Sequence, residues 1–313
     1  MKPLRIATRG SALALWQANH LRQVLESSFG LASEILVIKT SGDGLVGAAF
    51  EELGIRGVFI KELEIALLDG RADLAIHSMK DVPTEICEAC RVAIVFTRED
   101  PRDALVSRSG LTLAQLPRGA RMGTSSLRRA SQLLRFRSDF DIVEIRGNVD
   151  TRLRKLDSGE YDGVILAKAG LDRLGLASRI TEILSPEVML SAVGQGALGV
   201  EYFDARGDEF AFLRKMGDLQ TIHAVQAERG LLAGLQGGCR LPLGAWARFE
   251  EGELVIDACV LSADGKESLR QHGSTASTAP DEPRSLGLRV ANELLAAGAD
   301  RLLRLAGRSV ASG

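Results

Sequence analysis

Between Arg121 and Lys155 the chain carries nine basic residues (Arg121, Arg128, Arg129, Arg135, Arg137, Arg146, Arg152, Arg154 and Lys155) against four acidic ones, Asp139, Asp141, Glu144 and Asp150. A guanidinium binds carboxylate or phosphate through paired hydrogen bonds, and a helix N-terminus adds free backbone N–H groups and the positive end of its dipole. Arg128 and Arg129 follow the helix-opening string Thr124-Ser125-Ser126, Arg146 ends an expected strand, and Arg152 starts the next helix. That placement describes a site for a ligand bearing several carboxylates or phosphates. A solvated basic surface is the reading that competes with it. Aromatic residues are only 4 % of the chain, too few for the stacking platforms of a single-strand binder, and no nucleic-acid partner is expected.

Two further positions could carry chemistry. Asp81 closes an apolar run and precedes Val82-Pro83, so its backbone is held extended and turned outward. A carboxylate there, beside Lys80, could bind a cationic or N–H-bearing substrate or move protons; it is equally a turn-forming Asp before proline. Cys239 sits in Gln236-Gly237-Gly238-Cys239-Arg240-Leu241-Pro242, a loop composition, with Arg240 beside it to favour the thiolate. Against this stands the commoner fate of a cysteine, a small buried apolar residue, which suits Cys259. Cys87-Glu-Ala-Cys90 has redox or half-zinc spacing, but no second pair follows and the four histidines are scattered, so no metal site is expected.

These positions need a scaffold. The 313 residues suffice for two or three domains. The first half alternates apolar strands with amphipathic helices, the pattern of βα units around a largely parallel sheet. Strands are expected at Leu4–Thr8, Glu34–Thr40 and Ala72–Ile76. Between them lie a helix capped by Ser11, with Leu21, Val24, Leu25 and Ser28 on one face, and a second helix at Phe59–Leu68. From about Thr97 the pattern restarts: strands at Ala120–Gly123, Asp141–Arg146, Asp162–Ala167 and Val193–Tyr202, with helices from Ser125 or Ser126 to Leu134 and at Val149–Leu156. A chain that leaves one α/β unit, builds a second and returns implies two hinged lobes, with ligand sites at the carboxyl ends of their strands. The last hundred residues read as a small α+β domain: a helix at Asp218–Leu235, alternating strands such as Leu254–Leu261, and a helix around Leu286, Val290 and Leu294. Expected boundaries are 1–97 plus 197–216, 98–196, and 217–313.

A net charge of −2 gives no general attraction for polyanions or membrane surfaces. The N-terminal apolar stretch is broken by Arg9, Gly10 and Ser11, short of a signal h-region, and no run reaches the length of a membrane span. The expectation is a cytoplasmic protein without a membrane partner.

Taken together, several strings resemble the porphobilinogen deaminases, in family order and over nearly the whole chain. They are Arg5-Ile-Ala-Thr-Arg9-Gly-Ser11 with Leu13-Ala-Leu-Trp16-Gln17, Phe59-Ile-Lys-Glu-Leu-Glu64, His77-Ser-Met-Lys-Asp-Val-Pro83 and Arg98-Glu-Asp-Pro-Arg-Asp-Ala104. Gly123-Thr-Ser-Ser-Leu-Arg-Arg129, Ile145-Arg-Gly-Asn-Val-Asp-Thr-Arg-Leu153, Gly194-Gln-Gly-Ala197 and Gly238-Cys239 complete the set. The resemblance implies an α/β fold of two periplasmic-binding-protein-like lobes with a third small α+β domain. It implies a transferase of tetrapyrrole and haem biosynthesis that deaminates four porphobilinogen molecules, condenses them head to tail, and releases hydroxymethylbilane by hydrolysis. The growing chain is carried on a dipyrromethane cofactor held by a thioether.

By the same resemblance Cys239 is the attachment point and Asp81 the catalytic carboxylate. Arg9, Ser11, Arg128, Arg129, Arg146, Arg152 and Arg173 match positions that bind cofactor and substrate side chains. Lys80, Thr124, Ser125, Ser126 and Gln195 belong to the same network, and a loop at about Gly42–Gly57 is expected to act as a lid, with Asp43 and Phe59 near the cofactor. Each porphobilinogen ring brings an acetate and a propionate, which accounts for the arginines. Two features depart from the family pattern: the Cys87/Cys90 pair, and Arg56 where lysine is expected. The rival readings are a two-lobed organic-anion-binding protein without catalysis, and a sensing module of a regulator, which would need a helix-turn-helix that the sequence lacks. A monomer is expected, since no coiled coil or long apolar edge is evident.

Overall fold

The computed structural model describes residues 2–38, 58–236, 241–277 and 279–311, with side chains for all but Val58, Phe59 and residues 307–311. Asp43, the 42–57 loop, Arg56 and Cys239 therefore lie outside the described residues, as does the Phe59 side chain. The chain divides into two compact units, Met1–Arg98 with Ala197–Thr221, and Glu99–Gly196 with Ile222–Gly313.

In the first unit the elements are β1 (Leu4–Thr8), α1 (Ala12–Phe29), β2 (Ser33–Val37), α2 (Val58–Leu68), β3 (Leu74–Ser78) and β4 (Cys90–Val95). The expected cap on α1 is present: the Ser11 hydroxyl accepts from the Ala14 N–H at 3.3 Å. Leu21 and Leu25 are buried on that helix, whereas Ser28, assigned by spacing to the same face, is exposed. Caps of this type contribute about 1 kcal/mol. In the second unit come β5 (Asp103–Ser107), β6 (Arg121–Gly123), α3 (Leu127–Phe136), β7 (Asp141–Val143), α4 (Val149–Asp157), β8 (Gly163–Ala167), α5 (Lys168–Arg173) and β9 (Glu182–Ile183). The chain then returns through β10 (Leu198–Phe203) to the first unit.

The two larger sheets share one plan. The first has strand order β2-β1-β3-β10-β4, the second β7-β6-β8-β5-β9. In each, three parallel strands are joined by an antiparallel fourth: β10 against β3, and β5 against β8. These sheets are mixed, not largely parallel as the βα alternation suggested, because each strand that follows a crossing of the chain enters its sheet the other way up. Two expected strands also shrink. Asp141–Arg146 stops at Val143, and Val193–Tyr202 starts only at Leu198, because Gly194 and Gly196 adopt positive φ of 71° and 89° and form a turn.

The rest of the second unit is α6 (Leu219–Gly234), β11 (Leu243–Glu250), β12 (Glu253–Leu261), β13 (Ser268–Thr275), α7 (Glu282–Ala296) and α8 (Ala299–Ala311). Its three strands form an antiparallel meander. Leu286, Val290 and Leu294 of α7 are buried with Ile256, Ala258 and Val260 of β12 in a core of their own, which is the small α+β arrangement expected for the C-terminal hundred residues. No helix among the described residues is long and apolar enough to cross a membrane.

Candidate active site

In the first unit, β3 is buried along Leu74–His77 and runs straight into a 3-10 turn, Met79–Asp81, so Asp81 is not extended as expected. The proline acts on its direct neighbour Val82, which is the extended residue at φ −79° and ψ 118°. Two contacts fix this turn. The Met79 N–H donates to the Ala197 carbonyl at 3.0 Å, and Met79 itself is buried. Facing it on β10 is Gly199, where any Cβ would run into the Met79 sulfur, so glycine is the residue that lets β10 close on the turn. One residue earlier, the Ser78 hydroxyl accepts from Gln17 Nε2 of α1 at 2.7 Å. With its base held this way, Asp81 projects an exposed carboxylate beside half-buried Lys80. Arg9 and Ser11 follow β1, which pairs in parallel with β3, so they share the carboxyl end of the same sheet with Asp81.

Beneath this turn His77 and Glu201 form a buried pair, Nε2 to Oε2 at 2.9 Å. Nothing in the sequence patterning flagged it, since Glu201 sits in an apolar strand 124 residues away.

The second unit resolves the arginine-rich stretch into distinct fates. All four of its acids are taken up locally: Arg121 with Asp141, Arg137 with Asp139, Arg146 with Glu144 and Arg154 with Asp150. Arg146, expected to face ligand, is exposed and its Nε donates to Glu144 at 2.8 Å. Arg128 and Arg129 are not surface groups. They are 5 % and 7 % exposed, and both grip Asp103, which is fully buried at the start of β5. Arg128 Nη1 donates to Asp103 Oδ2 at 2.7 Å and to the Leu190 carbonyl at 2.6 Å. Arg129 donates from Nη2 to Asp103 Oδ1 at 2.7 Å and from Nη1 to the Ile165 carbonyl at 3.0 Å. Gln195 Nε2 adds a third donor to Asp103 Oδ1 at 3.0 Å. Burial alone would raise the Asp103 pKa, but the two guanidiniums hold it well below the usual carboxylate range. Burial also lowers Arg128 from its ordinary value.

Around this network lie the hydroxyl residues. Thr124 N–H donates to the Val143 carbonyl and Ser125 Oγ to the Ile145 carbonyl, tying the ends of β6 and β7 together. Ser126 caps α3 by accepting from the Arg129 N–H, so the residue that opens the helix also sets the backbone of the buried arginine. Arg173 is buried as well, donating to Glu99 Oε1 at 3.0 Å and the Gly196 carbonyl at 2.7 Å.

Arg152 stands apart. Its Nε donates to the Gly147 carbonyl at 2.7 Å, a contact that relies on Gly147 at φ +110°, where a Cβ would sit 2.8 Å from Thr151. Among the described residues no carboxylate pairs with it, and both its burial and the nearby Arg129 charge lower its pKa. Asp103 neutralises one of two arginines, so the end of this sheet keeps an excess of desolvated positive charge. Such a place stabilises an incoming carboxylate. The donor set therefore fits a cofactor or substrate with carboxylate side chains.

Sequence reading missed Asp103, the acid that organises the network. Its signals were its place in the family-matched string at 98–104 and a charge opening the apolar run Ala104-Leu-Val106, a position where an acid must find a buried partner. Among the described residues no group of three or more His, Cys, Asp or Glu side chains could hold a metal ion.

Residues 4–209 match the family model described as "Porphobilinogen deaminase, dipyromethane cofactor binding domain", and residues 222–296 match "Porphobilinogen deaminase, C-terminal domain". The porphobilinogen deaminase of Nitratidesulfovibrio vulgaris (strain DSM 19637 / Miyazaki F) is 48 % identical over 307 residues, covering 97 % of this chain and 96 % of that protein. That of Bordetella parapertussis is 46 % identical over 301 residues, covering 96 % and 95 %. Among solved structures, the periplasmic aliphatic sulphonate binding protein SsuA from Escherichia coli matches with a TM-score of 0.41 at 14 % identity, covering 75 % of this chain and 71 % of that one.

Proposed function

The chain belongs to the porphobilinogen deaminase family, and on that premise we propose that Asp81 is its catalytic carboxylate, Cys239 its cofactor attachment point, and the Arg128–Arg129–Arg152 group its binder of pyrrole carboxylates. The reaction is a transferase reaction on porphobilinogen. When bound, the dipyrromethane cofactor supplies the pyrrole carbon on which the product is built. What the protein's own residues do follows from their chemistry.

Porphobilinogen carries an acetate, a propionate and an aminomethyl group on one pyrrole ring. The two carboxylates need cations that are partly stripped of water, and half-buried Arg152 offers one with no acid paired to it among the described residues. Arg128 and Arg129 serve through their surplus charge over Asp103, held in place by the Leu190 and Ile165 carbonyls, while Gln195 steadies Asp103 itself. Thr124, Ser125 and Ser126 supply hydroxyl and backbone donors at the start of α3. Arg9, Ser11 and Lys80 are the corresponding contacts at the end of the first sheet. Arg146, Arg173, Asp43 and Phe59 complete the set carried over from the family, with Arg146 reaching ligand by exchanging its exposed contact to Glu144.

Loss of ammonia from the aminomethyl group leaves a cationic methylene-pyrrolenine. The exposed carboxylate of Asp81 stabilises that charge at the ring N–H and accepts or returns the proton that moves as the new C–C bond forms. The rigid base under it (buried Met79, Gly199, the Gln17–Ser78 bond) keeps the carboxylate in place from one addition to the next. The support for this reading is the family match together with an exposed carboxylate on a fixed turn.

We divide the chain into a catalytic lobe at 1–97 plus 197–216, an arginine-rich lobe at 98–196 and a cofactor-bearing domain at 217–313. The protein works as a cytoplasmic monomer. The test is turnover of porphobilinogen by wild type and Asp81→Asn. The proposal expects product from the first and a large loss of kcat in the second, with the covalent cofactor still present in both. A variant with near-normal kcat removes Asp81 from the reaction.

A further inference from the structure

Cys87 and Cys90 have no part in the reaction proposed above, yet they are arranged in a particular way. The Cys90 N–H donates to the Cys87 carbonyl at 2.9 Å, closing a four-residue turn immediately before β4. Turns closed in this way hold their end Cα atoms within about 7 Å, and a disulfide asks for roughly 4.4–6.8 Å. The two thiols are close enough that Cys87 helps to raise the Cys90 pKa. The turn is anchored from outside, because Glu64 Oε1 of α2 accepts from the Cys87 N–H at 3.0 Å. Cys90 is fully buried against Leu63, Ala66 and Leu67, while Cys87 is half-buried at the edge of the same cluster. One sulfur is thus reachable from solvent and the other waits behind it.

We propose that Cys87 and Cys90 are a reversible oxidation site, closing to an intrachain disulfide when the protein meets a peroxide-class oxidant. Burial, with the Glu201 carboxylate adding to it, pushes the Cys90 thiol up to about 12, so Cys87 is the sulfur that reacts first. The Cys87 thiolate attacks one peroxide oxygen, the O–O bond breaks, and the other oxygen departs as hydroxide and takes up a proton. Cys90 sulfur then displaces the oxygen now held on Cys87; that oxygen leaves as water with the Cys90 proton. In total two S–H groups and one hydrogen peroxide become one S–S bond and two waters, the thiols oxidised and the peroxide reduced. The alternative use of a Cys-x-x-Cys pair, metal binding, finds no further ligands among the described residues.

The sequence makes the test simple, since Lys80 and Arg91 bracket both thiols in one tryptic peptide, Asp81–Arg91. The full-length protein is treated with hydrogen peroxide at low molar excess, alkylated with iodoacetamide, digested and weighed. The expected peptide is lighter by two hydrogens and unalkylated, and dithiothreitol before alkylation restores two modified cysteines. In Cys90→Ser the same treatment leaves Cys87 as a sulfenic acid that dimedone captures. Three outcomes in wild type overturn the proposal: both cysteines still alkylated, added oxygen on either one, or Cys87 joined to another chain. The wild-type reading stands alone should the variant not fold.

Discussion

Asp81 and Asp103 are both carboxylates in family-matched strings, and the structure treats them oppositely. Asp81 is exposed at the tip of a turn whose neighbours in sequence are also its neighbours in space. Asp103 is fully buried and meets its arginines 25 and 26 residues later. The first is free to act on something that arrives; the second is consumed in holding two cations that would otherwise be unpaired inside the protein. Replacing one should abolish chemistry and leave the fold, and replacing the other should do nearly the reverse. Proximity to a motif does not separate these roles. Burial and partners do.

The sharpest break in that comparison comes from Asp81→Asn, expected to lower kcat by about a thousandfold, within the usual span for a positioned carboxylate, while the midpoint of thermal unfolding hardly moves. Asp103→Asn removes the counter-charge from two buried guanidiniums and should cost about 3–5 kcal/mol of stability, read as a lowered denaturation midpoint. If Asp103→Asn instead unfolds like wild type, the buried network is not what holds the arginines. Asp73 provides an intermediate case within the first unit. Burial would raise it, but hydrogen bonds from Arg5 and Arg206 bring it down to about 2 from an ordinary 3.8. Because its folded pKa is depressed, its contribution of about 2 kcal/mol is present above pH 3.8 and lost as the pH falls toward 2. Asp73→Asn should therefore narrow the stability gap to wild type progressively over that acid range in pH-dependent unfolding.

Arg152→Ala tests the other half of the contrast, a cation without an acid of its own. Losing one charge-assisted contact worth about 1.5–3 kcal/mol should raise KM for porphobilinogen by about tenfold or more, with stability changed by less than about 0.5 kcal/mol. A large stability loss with normal KM would make Arg152 a structural residue and remove it from carboxylate binding. Arg146→Ala should be the mildest for folding, since its pair with Glu144 is more than half exposed on both sides and such pairs contribute little.

Much of this was legible from local pattern. β1, α1 with its Ser11 cap, α3 with its Ser126 cap, and the apolar face of α7 all follow from spacing within a dozen residues, and all are where that spacing puts them. The antiparallel entry of β5 and β10 was not, because it depends on which strand a returning chain meets. The same limit explains the arginines. Counting charge between Arg121 and Lys155 suggested one basic patch, yet four of its arginines pair with acids inside the stretch and two with an acid outside it. Among the described residues Arg135, Arg152 and Lys155 are left without a paired acid, and of these Arg152 is the one whose burial lowers its pKa. Asp81 was readable because a buried strand, a turn and a proline are consecutive; Asp103 was not, because its meaning lies in residues far along the chain.

The central claim is that this chain carries a covalent cofactor on Cys239 and uses it. Intact mass of the purified wild type beside Cys239→Ser tests it most directly, after incubation of both with porphobilinogen. The account predicts a wild-type mass above that of the sequence by two linked pyrrole units or more, and a variant at its sequence mass. A wild type that gains no mass would contradict the claim, and a variant that gains as much as wild type would move the attachment point away from Cys239.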